Sequence, residues 1–72
     1  MAKTMRMNGF TITERADGTY KVTRSAGEFR RVTEIHKSFY DAGEAVYEMA
    51  PNNDIGAKIN HRMCDVFGKT FA

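Results

Sequence analysis

The chain has 72 residues, of which 42% are apolar and 28% charged, and its net charge is +2. This length allows one small domain and excludes a multi-domain enzyme, and the composition is that of a globular protein. No apolar run approaches the ~20 residues of a membrane span, and the charged start lacks the apolar segment of a secretory signal. The single cysteine, Cys64, excludes an internal disulfide and favours a cytoplasmic location.

The charge is unevenly distributed along the chain. Residues 1–37 carry eight Lys or Arg against four acids, whereas residues 38–51 carry three acids and no basic residue. Such a contrast bears on the partners of a protein rather than on its fold. We therefore expect a small protein with one basic part and one acidic part.

Two strands are predicted in the N-terminal half. Residues 9–15 and 19–25 alternate apolar and polar side chains, are rich in β-branched and aromatic residues, and flank the hairpin signal Asp17-Gly18. Before them, residues 1–8 contain three of the five methionines and are interpreted as a flexible apolar arm.

The stretch from residue 28 to residue 36 fits two interpretations. Val32–Ile35 is rich in β-branched residues, which favours a third strand with a bulge near Arg30-Arg31. The apolar spacing of three residues also fits a helix that is capped by Ser25 and continues through the next segment. We prefer the strand, because Ser38 offers a better helix start further along the chain.

Two helices are predicted in the C-terminal half. The first begins at Ser38 and ends before Pro51, which cannot continue a helix. The second is capped by Asp54 and ends at Gly68, so that residues 69–72 form a C-terminal tail. Each has one apolar stripe, formed by Phe39, Ala42, Val46 and Met49 in the first helix and by Ile55, Ile59, Met63 and Val66 in the second.

The predicted fold is a single α+β domain over residues 9–68. It is a three-stranded antiparallel β-meander followed by two α-helices packed on one face. The alternative is a β-hairpin with one long and one short helix.

No catalytic, metal or cofactor site is predicted. His61 and Cys64 have the spacing of two ligands on one helix face, but a structural zinc site needs four ligands and the only other histidine is His36. The chain contains no glycine-rich phosphate loop and no nucleophile motif. So small a domain also leaves little room for a substrate pocket. We therefore expect a protein that is not an enzyme.

A basic, threonine-rich sheet face is the first of two candidate binding surfaces. Lysine and arginine supply charge to phosphates, while hydroxyls supply hydrogen bonds. Glu14 and Glu34 are expected to interrupt the surface. Its candidate basic residues are Arg15, Lys21, Arg24, Arg30 and Arg31.

The second candidate surface is a shoulder of the first helix that bears Tyr40 and Tyr47. Tyrosines beside charged residues are typical of protein interfaces. Gly43 lies between them, where glycine costs about 1 kcal/mol relative to alanine. It indicates close approach by another backbone, of the same chain or of a partner.

Two resemblances bear on function. The run Ser38-Phe39-Tyr40-Asp41-Ala42-x-x-Ala45 after a third strand resembles the strand-to-helix junction of the plant ethylene-response-type domain and of phage integrase arm-binding domains. That resemblance implies a sheet that enters the major groove of DNA. In size and element order the chain is similar to small phage-encoded inhibitors, including anti-CRISPR proteins, which implies stoichiometric binding to a host nucleic-acid complex.

The expected function is that of a small binding protein of phage or mobile-element type in a bacterial host cell. It would inhibit or modulate a larger protein or nucleoprotein complex through the basic sheet face and the tyrosine-bearing helix. The alternative is a weakly specific DNA-binding accessory protein that uses the basic sheet. An open sheet edge would also allow a homodimer, and no membrane partner is expected.

Overall fold

The computed structural model describes residues 3–25 and 31–71. These residues form an antiparallel four-stranded sheet followed by two helices, and the strand order in the sheet is the order in the chain. The strands are β1 (Lys3–Met7), β2 (Phe10–Glu14), β3 (Tyr20–Ser25) and β4 (Arg31–His36), and the helices are α1 (Phe39–Met49) and α2 (Asn53–Phe67).

The α+β class is confirmed, but the sheet has four strands rather than the three predicted. The additional strand is β1, which occupies residues interpreted as part of a flexible arm. Its Met5 is buried and its Met7 half-buried, while the side chains between and before them are exposed. Asn8 and Gly9, with φ of 49° and 83°, form the two-residue hairpin turn that pairs Met7 with Phe10. Strand β1 therefore forms because its side chains alternate between buried and exposed and because Asn8-Gly9 can adopt the positive φ of a hairpin turn.

Strands β2 and β3 occupy the residues predicted for the central hairpin. Asp17 stabilises its turn, because its Oδ1 accepts hydrogen bonds from the N–H (3.0 Å) and the hydroxyl (2.6 Å) of Thr19. The same two bonds favour the ionised carboxyl and hold the pKa of Asp17 below its ordinary value.

Strand β4 confirms the strand interpretation for residues 31–36 over the helical one. It pairs with β3 in continuous register from Arg31 to His36. The predicted bulge involves Arg30, which lies outside the described residues.

Helix α1 begins and ends as predicted. The hydroxyl of Ser38 accepts a hydrogen bond from the N–H of Asp41 at 3.1 Å, and Pro51 follows the C-cap Ala50. The buried residues of α1 are Phe39, Ala42, Gly43 and Val46.

Helix α2 is capped by Asn52 and not, as predicted, by Asp54. Oδ1 of Asn52 accepts from the N–H of Ile55 at 2.9 Å, and Asp54 lies within the first turn. Asparagine caps as well as aspartate does, so the cap belongs to the residue with the extended backbone. The helix ends, as predicted, at Gly68, which adopts the left-handed conformation with φ of 67°.

The hydrophobic core lies between the helices and one face of the sheet. Helix α1 packs on β3 and β4, and α2 packs on β1. Tyr20, Phe39 and Phe67 meet edge to face at its centre, with ring centroids 5.6–6.2 Å apart. The buried apolar residues are Met5, Phe10, Ile12, Tyr20, Val22, Phe39, Ala42, Val46, Ile59, Met63 and Phe67.

The chain after α2 returns to the core. The half-buried ring of Phe71 stacks on Phe39 with centroids 4.4 Å apart and planes at 16°. A Cβ at position 43 would overlap the Phe71 ring. The close approach expected at Gly43 is therefore made by an aromatic ring of the same chain rather than by a backbone.

Candidate binding surfaces

The face of the sheet turned away from the helices is polar. Its residues alternate along the strands with core residues such as Met5, Ile12 and Val22, so they point to the opposite side. We call this surface the outer sheet face. It consists of Thr4, Arg6, Thr11, Thr13, Lys21, Thr23, Ser25, Arg31, Thr33 and Ile35. None of these ten residues is buried, because both helices pack on the other side.

The outer sheet face is organised in rows that cross the strands. One row runs Thr4–Thr13–Lys21–Ile35, and the next runs Arg6–Thr11–Thr23–Thr33. The hydroxyls of Thr4 and Thr13 lie 3.1 Å apart and those of Thr23 and Thr33 lie 3.3 Å apart, within hydrogen-bonding distance across neighbouring strands. The rows therefore present paired hydroxyls on the surface of the sheet.

The charge of the outer sheet face has a single sign among the described residues. Arg6, Lys21 and Arg31 belong to it, and no described acid does. Glu14 and Glu34, which were expected to interrupt the basic surface, alternate onto the helix side. There Glu14 accepts a hydrogen bond from the Tyr20 hydroxyl, and Glu34 lies 2.9 Å from the His36 ring.

A shallow concavity of about 300 Å³ lies on this surface. Its cations come from three different strands: Arg6 from β1, Lys21 from β3 and Arg31 from β4. The remaining lining residues are Thr11, Thr13, Thr23 and Ser25. Cationic groups surrounding hydroxyls form a surface suited to the oxygen atoms of anions.

The predicted basic residues divide into three groups. Lys21 and Arg31 lie on the outer sheet face and line its concavity. Arg15 is exposed one residue beyond β2, where its N–H donates to the carbonyl of Thr19 in the turn. Arg30 lies outside the described residues.

Arg24 does not join the outer sheet face. It shares its side of β3 with Tyr20 and Val22, so its side chain lies on the helix side. Its guanidinium donates to the carbonyl oxygen of Met49 at the end of α1 and lies 5.6 Å from the centre of the Phe10 ring. Arg24 therefore ties α1 to the sheet and covers the core edge.

Arg6 is the basic residue that sequence reasoning missed. It occupies the outer sheet face only because β1 is a strand. The alternation of Met5, Arg6 and Met7 before Asn8-Gly9 is the signal that could have placed it.

The tyrosine-bearing surface lies in the helix layer. Tyr40 is 58% exposed and Tyr47 is 40% exposed. Tyr47 also packs against Gly56 of α2, so closely that a Cβ at position 56 would lie 3.0 Å from its Cδ2. The sheet separates this layer from the outer sheet face, so the two predicted surfaces are not one continuous interface.

A polar cluster closes the core beside the chain after α2. The Tyr20 hydroxyl donates to Oε2 of Glu14 at 2.6 Å, and Nζ of Lys69 lies 3.6 Å from the same oxygen. The hydroxyl bond, with help from Lys69, holds the pKa of Glu14 below its ordinary value. Burial, followed by the Glu14 bond, raises the pKa of Tyr20. The cluster is structural rather than part of the outer sheet face.

The His61 and Cys64 region shows no grouping of metal ligands. His61 is 83% exposed and lies 4.0 Å from Asp65, and Cys64 is partly buried. In residues 3–25 and 31–71 no three His, Cys, Asp or Glu side chains are placed to hold a metal ion. Neither described helix has the length and apolar character needed to cross a bilayer.

The fold and its surfaces define a small α+β domain with one uncovered, basic sheet face. Comparison of the chain with protein-family models, curated proteins and solved structures finds no match.

Proposed function

We propose that this protein is a non-enzymatic, stoichiometric binding protein of phage or mobile-element type. It inhibits or modulates a larger nucleic-acid-handling complex by occupying a polyanionic surface of that complex. The observation that carries the proposal is the outer sheet face, on which three cations and a set of hydroxyls meet no acid among the described residues.

The chemistry of this surface favours anionic groups held by a macromolecule. Each arginine offers a planar set of donors that fits a phosphate or carboxylate, and lysine adds a point charge. Because Arg6, Lys21 and Arg31 stand on separate strands, several anionic groups can be contacted together. An array of separated contacts suits an extended partner better than a single small ion.

The exposed tyrosines support a second contact. Tyr40 and Tyr47 are seven residues apart, so they lie on the same side of α1 at a separation of about 10 Å. Since the sheet lies between them and the outer sheet face, they would contact a different part of the complex. An inhibitor with two such surfaces would hold two components in a fixed arrangement.

Direct, weakly specific binding to DNA is the second candidate function. Four strands span about 14 Å between the outer backbones, which exceeds the ~12 Å width of the major groove. The sheet that results from adding β1 would therefore lie across phosphates more readily than enter the groove. Phosphate contacts carry no base sequence information, which favours weak specificity.

Salt titration of duplex DNA binding separates the two candidates. If the three cations contact phosphates, the logarithm of the affinity should fall with the logarithm of salt concentration with a slope of about −2 to −3. Arg6→Glu combined with Arg31→Glu should abolish binding, whereas Lys58→Glu combined with Arg62→Glu, a matched charge change on α2, should leave it in place. An absence of duplex binding at low salt would rule out the DNA candidate.

The inhibitor proposal is tested on the complex recovered with the protein from bacterial lysate. The expected result is a nucleic-acid-handling assembly bound at a fixed molar ratio, lost with the Arg6→Glu, Arg31→Glu pair and retained with the α2 pair. Retention of the complex by both pairs would show that the outer sheet face is not the contact.

A further inference from the structure

A groove of about 410 Å³ lies between the end of β1 and α2, on the other side of the molecule from the concavity of the outer sheet face. Its apolar floor includes Met7 and Ala57. Its remaining lining residues are Lys58, His61, Arg62 and Asp65 on α2. The groove thus joins an apolar floor to a rim with two permanent positive charges and one negative charge.

The groove borders an unpaired strand edge. In the described part of the chain β1 pairs with β2 on one side and with no strand on the other. The free edge of such a strand presents backbone N–H and C=O groups that can accept a further strand. Extended peptides bind this way when a neighbouring groove receives their alternate side chains.

We propose that the β1 edge and this groove together bind an extended peptide segment in which apolar and acidic residues alternate. The peptide would add a fifth strand beside β1. Its apolar side chains would face the helix side, next to Met7 and Ala57, and its acidic side chains would face the outer side, next to Arg6. This alternation follows from the period of two in a strand.

The charges favour an acidic peptide over a second copy of this chain. Lys3 and Arg6 are exposed on β1, and Lys58 and Arg62 are exposed on the rim. Pairing β1 with β1 of another copy would bring these cations together, and like charges on neighbouring strands are destabilising. The acidic residues of an incoming peptide would instead lie beside Arg6, and the positive field of Lys3, Lys58 and Arg62 would attract such a peptide to this edge.

The test uses a capped octapeptide of four Val-Asp repeats. Its binding is measured by changes in the amide NMR shifts of the intact protein. Binding should shift the amides of β1 and of residues 57–65. A peptide of the same composition in two blocks, four Val and then four Asp, and a Val-Lys repeat should bind at least tenfold more weakly. Shifts confined to the outer sheet face or to β4 would overturn the proposal.

Methylated peptides test the backbone pairing directly. The N–H groups of alternate residues point to the same edge of a strand. We therefore compare a peptide methylated on all four Val amides with one methylated on all four Asp amides. One of the two should lose binding to the protein and the other should retain it. Equal binding by both methylated peptides and the parent peptide would exclude strand addition.

Charge variants locate the site and separate it from the proposed function. Ala57→Glu should weaken the Val-Asp peptide at least tenfold, because it places a charge on the apolar floor that receives the Val side chains, whereas Lys21→Glu with Arg31→Glu should change the affinity less than twofold. This pair reverses two of the three positive charges of the outer sheet face, so loss of polyanion binding with retained peptide binding shows that the two activities can be separated. A dimer through β1 in sedimentation experiments would identify a second copy as the occupant and contradict the proposal.

Discussion

Gly43 of α1 lacks a side chain, and the ring of Phe71, from the chain after α2, packs in the space this leaves. The ring of Phe71 occupies the space above Gly43 and stacks on Phe39. Glycine weakens α1 locally by about 1 kcal/mol, and this cost is offset by an aromatic contact that only glycine permits.

A double-mutant cycle should reveal this pairing. Phe71→Ala should lower the free energy of unfolding by about 1–2 kcal/mol through lost burial. In that background Gly43→Ala should raise the stability by about 0.5–1 kcal/mol, because the helix gains a better former and the space is empty. In the wild type Gly43→Ala should instead destabilise the protein, since it displaces the ring. Additive effects in urea denaturation would contradict the contact.

Glu14 makes the stability of the protein depend on acid pH. Its pKa is lower in the folded state than in the unfolded state because the Tyr20 hydroxyl and Lys69 favour the carboxylate. Its contribution is therefore fully present above the ordinary glutamate pKa of 4.5 and is lost as the pH falls through the lowered folded value.

Two variants test the pH dependence. Glu14→Gln and Tyr20→Phe should each flatten the fall in thermal stability below pH 4.5 relative to the wild type. The carboxyl is partly exposed, so the loss at neutral pH should be about 1 kcal/mol or less. Parallel stability curves for Glu14→Gln and the wild type between pH 5 and pH 3 would be the contrary result.

At the scale of elements, β1 determines how wide the sheet is and which cations it carries. It brings Arg6 to the outer sheet face and places Met5 in the core. Met5→Ala should cost about 2–3 kcal/mol in urea denaturation, a large part of the stability of a domain this small. Met7→Ala serves as the control and should cost less, because Met7 is only half-buried. Equal, negligible costs would mean that β1 does not dock.

The strands show how far local pattern predicts this fold. The alternation within residues 9–15 and 19–25 assigns Phe10, Ile12, Tyr20 and Val22 to one side of the sheet, and all four are buried. The same alternation assigns Arg24 to the helix side. The prediction placed Arg24 on the basic surface because of its charge and did not apply the alternation. Similarly, Asn8-Gly9 is a strong hairpin signal, although the methionine-rich residues before it were interpreted as a flexible arm.

The helices show where local pattern is insufficient. The stripe predicted for α2 included Ile55 and Val66, yet the fully buried positions are Gly56 and Phe67 beside Ile59 and Met63. The buried stripe of α2 is rotated from the predicted one, and its Gly56 lies against Tyr47, whose Cδ2 would be 3.0 Å from a Cβ at position 56. Gly43 predicted a close approach but not the Phe71 ring that makes it, and the contact of Gly56 with Tyr47 was not predicted, since both contacts join parts of the chain that meet only in the folded state.

At the scale of the molecule, the basic outer sheet face and the acidic exposed residues of α1 lie on opposite sides of the sheet. The outer sheet face carries Arg6, Lys21 and Arg31, while α1 exposes Asp41, Glu44 and Glu48 on the other side of the sheet. The net charge of +2 averages over this arrangement. A polyanion approaching the protein would be oriented so that the outer sheet face meets it first.

The strand order β1-β2-β3-β4 also bears on how the chain folds during synthesis. Every neighbouring pair of strands is joined by a short connection, so little loop entropy opposes the growth of the sheet. The helices that cover its apolar side follow it in the chain. A ribosome therefore releases a nearly complete sheet before its cover exists, and that apolar side is open to chaperones or to aggregation until α2 has emerged.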